Sequence, residues 1–320
     1  MATKSKWDSI AILTDLEPDD VLAIHMLLMY FPTMIPVFIG VGEGDCCKLD
    51  MAYNMMSRYP RTNVTYGDMG RSETVYPKAA LEVFGTSAAG DSVGTSQFDI
   101  FVFSYENPLI ICLMPPRTML GKLYAHADLA IYGSFNFRAL TYADPDVLAD
   151  WLNTGFKSVL LYETVHALGS TNSINMHNAK EVFEYTKTIP GLDKLIEIWN
   201  NHIYSDKLDT INSSLHLLEK SPHRSWDEVS SVAKKMNRHL KIIMNVAEGD
   251  NKQMVAADFG LVLAICGFLD DYIVKHCRVA FHDDGYTKII REAKDGRVSY
   301  VCGLTIERIV SSCVAFSTLY

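Results

Sequence analysis

Residues 8–28 fix the first step of the fold. The run Asp8-Ser9-Ile10-Ala11-Ile12-Leu13 has the length and β-branched content of a buried strand. It passes directly into Asp15, Glu17, Asp19 and Asp20, and then into Val21, Ile24, Leu27 and Leu28, spaced as one face of a helix. A strand feeding straight into a helix opens a βαβ unit. Carboxylates crowded at the carboxyl end of a first parallel strand repel one another. They persist when a cation or a polyhydroxylated ligand compensates them, and that edge of an open α/β sheet is where ligands sit. An all-oxygen set with no Cys or His among it favours Ca²⁺ or Mg²⁺ over zinc. A simpler reading makes Asp15 the cap of a helix begun by Pro18, with Asp19 and Asp20 serving its dipole. One acid suffices for a cap; four exceed that need.

The first half continues in the same rhythm. Strands are expected over Ser9–Thr14, Met34–Gly40, Asn63–Tyr66, Pro108–Met114, Leu129–Gly133 and Ser158–Tyr162. Helical patterns lie between them at Asp20–Tyr30, Cys46–Tyr59, Gln97–Glu106, Arg117–His126 and Pro145–Thr154. The segment Gly67–Thr95, rich in Gly, Ser and Ala, reads as a long surface loop or weak helix. From Met176 to Asn245 the pattern is mostly helical, with helices at Ala179–Thr188, Leu192–Tyr204, Ile211–Leu218 and Trp226–Ala247. A very apolar helix, Asp258–Ile273, follows. Short strands at Val274–Phe281 and Arg297–Cys302 and a closing helix at Leu304–Phe316 complete the chain. The expected fold is α/β with a mostly parallel, doubly wound, Rossmann-like sheet. One domain over 1–320 is expected, with a helical insertion about 176–247 clustered over the carboxyl edge of the strands.

Composition narrows the function. Over 320 residues, 48% hydrophobic and 21% charged content describes an ordinary globular chain. A net charge of −9 argues against electrostatic binding to nucleic acid or to anionic membrane surfaces. Seven cysteines form no CxxC pair and mostly sit in apolar runs, as small core residues of a reducing compartment do. Met1–Lys6 lacks the apolar core of a signal peptide, and no run reaches membrane-spanning length. The expectation is a soluble cytoplasmic protein.

Asp15-x-x-x-Asp19-Asp20-Val-Leu-Ala-Ile resembles the N-terminal DxDxGxDDxxAI signature of the nucleoside hydrolase family, the inosine-uridine-preferring type. Three further segments match in order. Glu106-Asn107-Pro108 through Pro115-Pro116-Arg117-Thr118 resembles the family's enP-strand-GPLTN segment. Phe135-Asn136-Phe137 with Asp144-Pro145 resembles EFN…DP, and Asp258-Phe259-Gly260-Leu261 resembles the last helix start, hDplA. The resemblance implies a metal-dependent hydrolase of N-glycosidic bonds, acting on a nucleoside or related riboside. It implies Ca²⁺, in preference to Mg²⁺, on Asp15, Asp20, Asp258 and the main-chain carbonyl of Met114. In the implied roles Asp15 is general base on the attacking water, Asp19 grips a ribose hydroxyl, and Asn136 contacts the sugar. Glu43 stands where the family has an Asn. The implied partner is a small-molecule riboside, and homo-dimers or tetramers are common in the family.

The chain departs from the pattern at Leu13, Glu17, Glu43, Ser134 (for the Glu of EFN) and Ala257 (for the His that protonates purine leaving groups). A leaving base needs a proton or hydrogen bond, usually from His or Tyr. The helical region offers His223, Tyr204, His202 and Trp226; His166 and His177 are further options. A nicotinamide-like cation would leave without such help. The departures also fit a second expectation, a catalytically impaired riboside- or nucleotide-binding homologue. Arg117, Lys122 and Arg138 could meet a phosphate or be ordinary surface charge. Asp144-Pro145-Asp146 reads most simply as a helix cap.

Overall fold

The structure is a computed structural model and describes residues 5–42, 48–59, 63–70, 76–85, 96–132, 144–162, 173–220, 225–248, 252–256, 258–281 and 288–320. Its strands are β1 (Ser9–Thr14), β2 (Val37–Val41), β3 (Val64–Asp68), β4 (Pro108–Cys112), β5 (Tyr124–Tyr132) and β6 (Phe156–Tyr162). They are followed by β7 (Ser173–Asn175), β8 (Gln253–Val255), β9 (Ile273–Phe281), β10 (Lys288–Glu292) and β11 (Val298–Val301). The helices are α1 (Pro18–Tyr30), α2 (Lys48–Met56), α3 (Lys78–Phe84), α4 (Ser96–Phe103) and α5 (Pro145–Thr154). Next come α6 (Lys180–Thr186), α7 (Leu192–Lys220), α8 (Trp226–Glu248), α9 (Asp258–Ile265) and α10 (Ile306–Leu319). Two compact units emerge: Met1–Asn172 with Val255–Tyr320, and Ser173–Met254.

In the first unit nine strands form one sheet in the order β10-β9-β11-β6-β5-β4-β1-β2-β3. The neighbours from β3 to β11 run parallel; β9 is antiparallel to both β11 and β10. The stretch β3-β2-β1-β4-β5-β6 reverses its direction of growth between β1 and β4. Crevices at such reversals, at the carboxyl ends of the strands, are where open α/β sheets hold ligands.

All six residues of β1 are buried, as befits a strand covered on both faces. Ala11 and Leu13 enter one core with Phe38, Phe98, Val102, Ile110, Leu129, Ile131 and Trp151. The alternation of side chains turns Ile10, Ile12 and Thr14 to the opposite face. There α9 packs against α1, β5, β6 and α10. Helix α9 is buried along its first seven residues, so it is apolar all round apart from its first residue, Asp258.

Several boundaries differ from the sequence reading. A helix over Arg117–His126 does not form: residues 117–121 make a turn and β5 already begins at Tyr124. Pro115 and Pro116 precede the turn and Gly121 adopts φ +80°, while Tyr124 is fully buried and stacks on Phe156 at 5.9 Å. The apolar helix expected to reach Ile273 stops at Ile265. Gly267 takes φ +82°, its N–H bonds the Ala264 carbonyl, and the Phe268 N–H bonds the Leu263 carbonyl. This pairing is a Schellman ending. The charged stretch Lys288–Glu292, unexpected as a strand, pairs antiparallel with β9.

The second unit is mainly helical. Its expected pair of helices, Leu192–Tyr204 and Ile211–Leu218, is one continuous α7, and α7 packs on α8. β7 and β8 pair with each other, and Lys252 is ion-paired with Asp193 at the start of α7.

Candidate metal centre

The chain leaves β1 through a tight turn. Leu16 is wholly buried and holds φ +62°, a conformation that a branched side chain adopts only when its surroundings impose it. The Tyr76 hydroxyl donates to the Leu16 carbonyl at 2.5 Å and pins the turn from above. Pro18 then starts α1 with its φ preset and no N–H to satisfy. Glu17 occupies the cap position of α1 and makes no side-chain capping bond, so the reading of Asp15 as the helix cap does not hold.

Asp20 faces back toward the strand. Its Oδ2 accepts from Thr14 Oγ1 at 2.5 Å and from the backbone N–H groups of Asp15 and Leu16, each at 3.0 Å. Three donors on one oxygen fix this carboxylate at the end of β1. Asp19, the preceding residue in the same helical turn, is equally buried.

Asp258 arrives from the other end of the chain. Because α9 packs along α1, its first residue meets the first turn of α1. Asp19, Asp20 and Asp258 each place a carboxylate oxygen within 4.8 Å of the others. They are only 3%, 1% and 6% exposed, so water does little to screen them. Burial, the largest cause, pushes the Asp19 carboxyl up to about 7. Burial and the charges of neighbouring acids hold Asp20 and Asp258 well above the usual carboxylate range. The Asp15 charge adds to the rise at both Asp19 and Asp20, so Asp15 stands close by although outside the tight trio. The Asp258 carboxyl shares hydrogen bonds with Asp19 and Asp20, and its Oδ1 is otherwise buried without a partner. An orphaned carboxylate oxygen among three converging buried acids fits a hard divalent cation, which takes only oxygen donors. Two helix N-termini, those of α1 and α9, add a favourable field for anions there, too weak to offset the desolvation.

Of the carboxylates expected from sequence, the structure thus brings Asp20 and Asp258 together and adds Asp19 as the third member of the trio. Met114 lies two residues beyond β4. The Leu113 N–H bonds the Leu13 carbonyl at 2.9 Å, so the β1–β4 pairing runs up to the residue before Met114. Glu43, Asn136 and His223 lie outside the described residues, as do Ser134, Arg138, His166 and Ala257. Tyr204 and His202 belong to α7 of the second unit, where Tyr204 is 36% exposed. Lys122 does not reach toward a phosphate at this edge: it precedes β5 and pairs with Asp99 at 2.6 Å. Asp144 caps α5 as read, accepting from the Asp146 N–H at 2.8 Å.

Local pattern gave no hint of three neighbours. Lys48 is fully buried at the start of α2, donates to the Gly42 carbonyl at 3.2 Å and lies 5.1 Å from the Tyr76 ring centre. Tyr76 itself sits in a Gly/Ser-rich region that reads as loop. Tyr162, the last residue of β6, is fully buried against α9. No protein-family model matches the chain, and no curated protein is significantly similar to it. Among the described residues, no helix is long and apolar enough to cross a membrane.

Proposed function

We propose that this protein is a divalent-cation-dependent hydrolase of N-glycosidic bonds, acting on a nucleoside or related riboside. One observation carries the reading: Asp19, Asp20 and Asp258, from opposite ends of the chain, converge as buried carboxylates at the β1/β4 switch point. The resemblance of the surrounding motifs to nucleoside hydrolases supplies the reaction class. Asp20 and Asp258, with Asp15 or Asp19 completing the set and Met114 lending its carbonyl, would hold Ca²⁺. When bound, the cation supplies positive charge that orients and acidifies a water and steadies ribose hydroxyls.

The remaining work falls to the chain. Asp15, close enough for its charge to raise the Asp19 carboxyl, would accept a proton from the attacking water. Clustered carboxylates stabilise the positive charge that develops on the sugar as the C–N bond breaks. By the same resemblance, Asn136 and Glu43 are assigned to sugar contacts. The cytoplasmic setting and a homo-oligomeric state belong to the same proposal.

The test is release of free base from a nucleoside panel, before and after EDTA treatment and with Ca²⁺ restored. EDTA-sensitive release restored by Ca²⁺ supports the hydrolase. A second reading, a riboside-binding homologue without turnover, is favoured by Ala257 in place of the family's proton-donating His. Calcium-dependent riboside binding with no base released from any member of the panel selects it.

A further inference from the structure

The carboxyl end of β6 holds a feature that the hydrolase reading does not use. The Tyr162 side chain is 0% exposed, and its hydroxyl has no hydrogen-bond partner. It lies against the first turn of α9, where Gly260 leaves room for it: a Cβ on Gly260 would stand 2.1 Å from the hydroxyl oxygen and 2.6 Å from Cζ. Gly260 is two residues from Asp258. The hydroxyl is therefore inserted beside the segment that presents the third carboxylate of the trio. Asp258 is near enough for its charge to raise the Tyr162 phenol, and its Oδ1 is also buried without a partner beyond the bonds its carboxyl shares with Asp19 and Asp20. One orphan is a donor and the other an acceptor. Each left unsatisfied costs roughly 1–3 kcal/mol, and one buried water between such a donor and acceptor would satisfy both.

We propose that Tyr162 is a positioning residue for the cation centre, its hydroxyl holding the Asp258 carboxylate in its binding orientation through one bridging water. A carboxylate offers about four lone-pair sites, so Asp258 can accept from this water and still give an oxygen to a cation. Burial pushes the phenol up, with Tyr132 and Asp258 adding to the rise, so the group remains an O–H donor. Partners of this kind set the orientation and basicity of metal-binding carboxylates, and removing one typically weakens cation affinity about 10- to 100-fold. The inference rests on the proposed cation centre and specifies what holds it in shape.

The experiment is calorimetric titration of the full chain with Ca²⁺ alone, in wild type, Tyr162→Phe and Tyr132→Phe, with melting of each in EDTA. Tyr162→Phe keeps the ring that fills the space above Gly260. The expected result is Ca²⁺ affinity at least about 10-fold weaker in Tyr162→Phe, with an EDTA melting temperature lowered by no more than the roughly 2 °C that loss of one hydrogen bond explains. Tyr132→Phe, which changes a neighbouring tyrosine 6.4 Å away between ring centres, serves as the control and changes affinity less than about twofold. Equal Ca²⁺ affinity in wild type and Tyr162→Phe overturns the positioning role while leaving the cation centre intact. Weaker binding accompanied by an EDTA melting temperature several degrees lower also overturns it, since loss of packing then explains the change. Absence of Ca²⁺ binding in wild type overturns the centre itself.

Discussion

Without a bound cation the protein should lose stability as the pH rises, and Asp19 contributes to that loss together with Asp20 and Asp258. In the folded chain its carboxyl is pushed up to about 7, from an ordinary value of 3.8, chiefly because it is buried. The folded state therefore keeps this proton across a window in which the unfolded chain has released it. Between those two values the unfolded state binds fewer protons at this residue, so the Asp19 contribution to stability falls as pH rises and levels off above about 7. At about 1.4 kcal/mol per pH unit, the full loss is about 4 kcal/mol. With an unfolding entropy of ~2.1 cal/mol/K per residue, that corresponds to roughly 6 °C in melting temperature for a chain of this length. Other carboxylates titrate in the same range, so the measurement is a difference. Wild type and Asp19→Asn are melted in EDTA at intervals from pH 4 to 8, and the gap between the curves is plotted. The variant lacks this group and its repulsion of Asp20 and Asp258, so the gap should shift in its favour by on the order of 4 kcal/mol across the window. Saturating Ca²⁺, which favours the ionised carboxylates, should abolish most of that shift in wild type. Two curves that stay parallel from pH 4 to 8 would refute the reasoning, because Asp19 would then titrate alike in both states.

Asp258→Asn removes one converging carboxylate without changing shape, and should eliminate most of the Ca²⁺-induced stabilisation, about 2.7 kcal/mol at a hundredfold excess over Kd; an undiminished thermal shift places the cation elsewhere. Thr14→Ala takes one of three donors from Asp20 Oδ2 and should cost about 1.5 kcal/mol in urea unfolding, with a smaller effect expected only if that bond is incidental. Gly260→Ala drives a methyl into the Tyr162 hydroxyl and should cost about 1–3 kcal/mol. Tyr162→Phe should not rescue it, since the ring carbon Cζ is also too close at 2.6 Å; full stability of Gly260→Ala would show that the helix shifts freely.

Much of the fold was legible because its signals are local. β1 and α5 appear where the residues place them: a continuous apolar run marks a strand buried on both faces, and Asp144-Pro145 marks a helix start. The error at Arg117–His126 arose because spaced apolar residues can serve a turn and a strand as well as a helix, and Tyr124 finds its partner in Phe156, far along the chain. The carboxylates were legible as chemistry, since four acids after one strand exceed what a cap requires. Which of them close around a common point was not, because Thr14 and two backbone N–H groups turn Asp20 toward the strand, and only tertiary packing decides that. Tyr162 was invisible for the same reason. Its meaning depends on Gly260, nearly a hundred residues later, and no periodicity connects them.

The route by which Asp258 reaches α1 has a consequence for how the protein is held together. The Ser173–Met254 unit is inserted between β6 and α9, so a cation gripped by Asp20 and Asp258 would tie shut a loop that contains most of the sheet and that whole unit. Closing a loop of roughly 240 residues costs only slightly more than closing one half as long, and a clip that keeps it shut restricts the unfolded chain as a crosslink does. Ca²⁺ would then be a reversible staple as well as a reagent. Cleavage inside the insertion should leave two pieces that stay together in Ca²⁺ and separate more readily in EDTA.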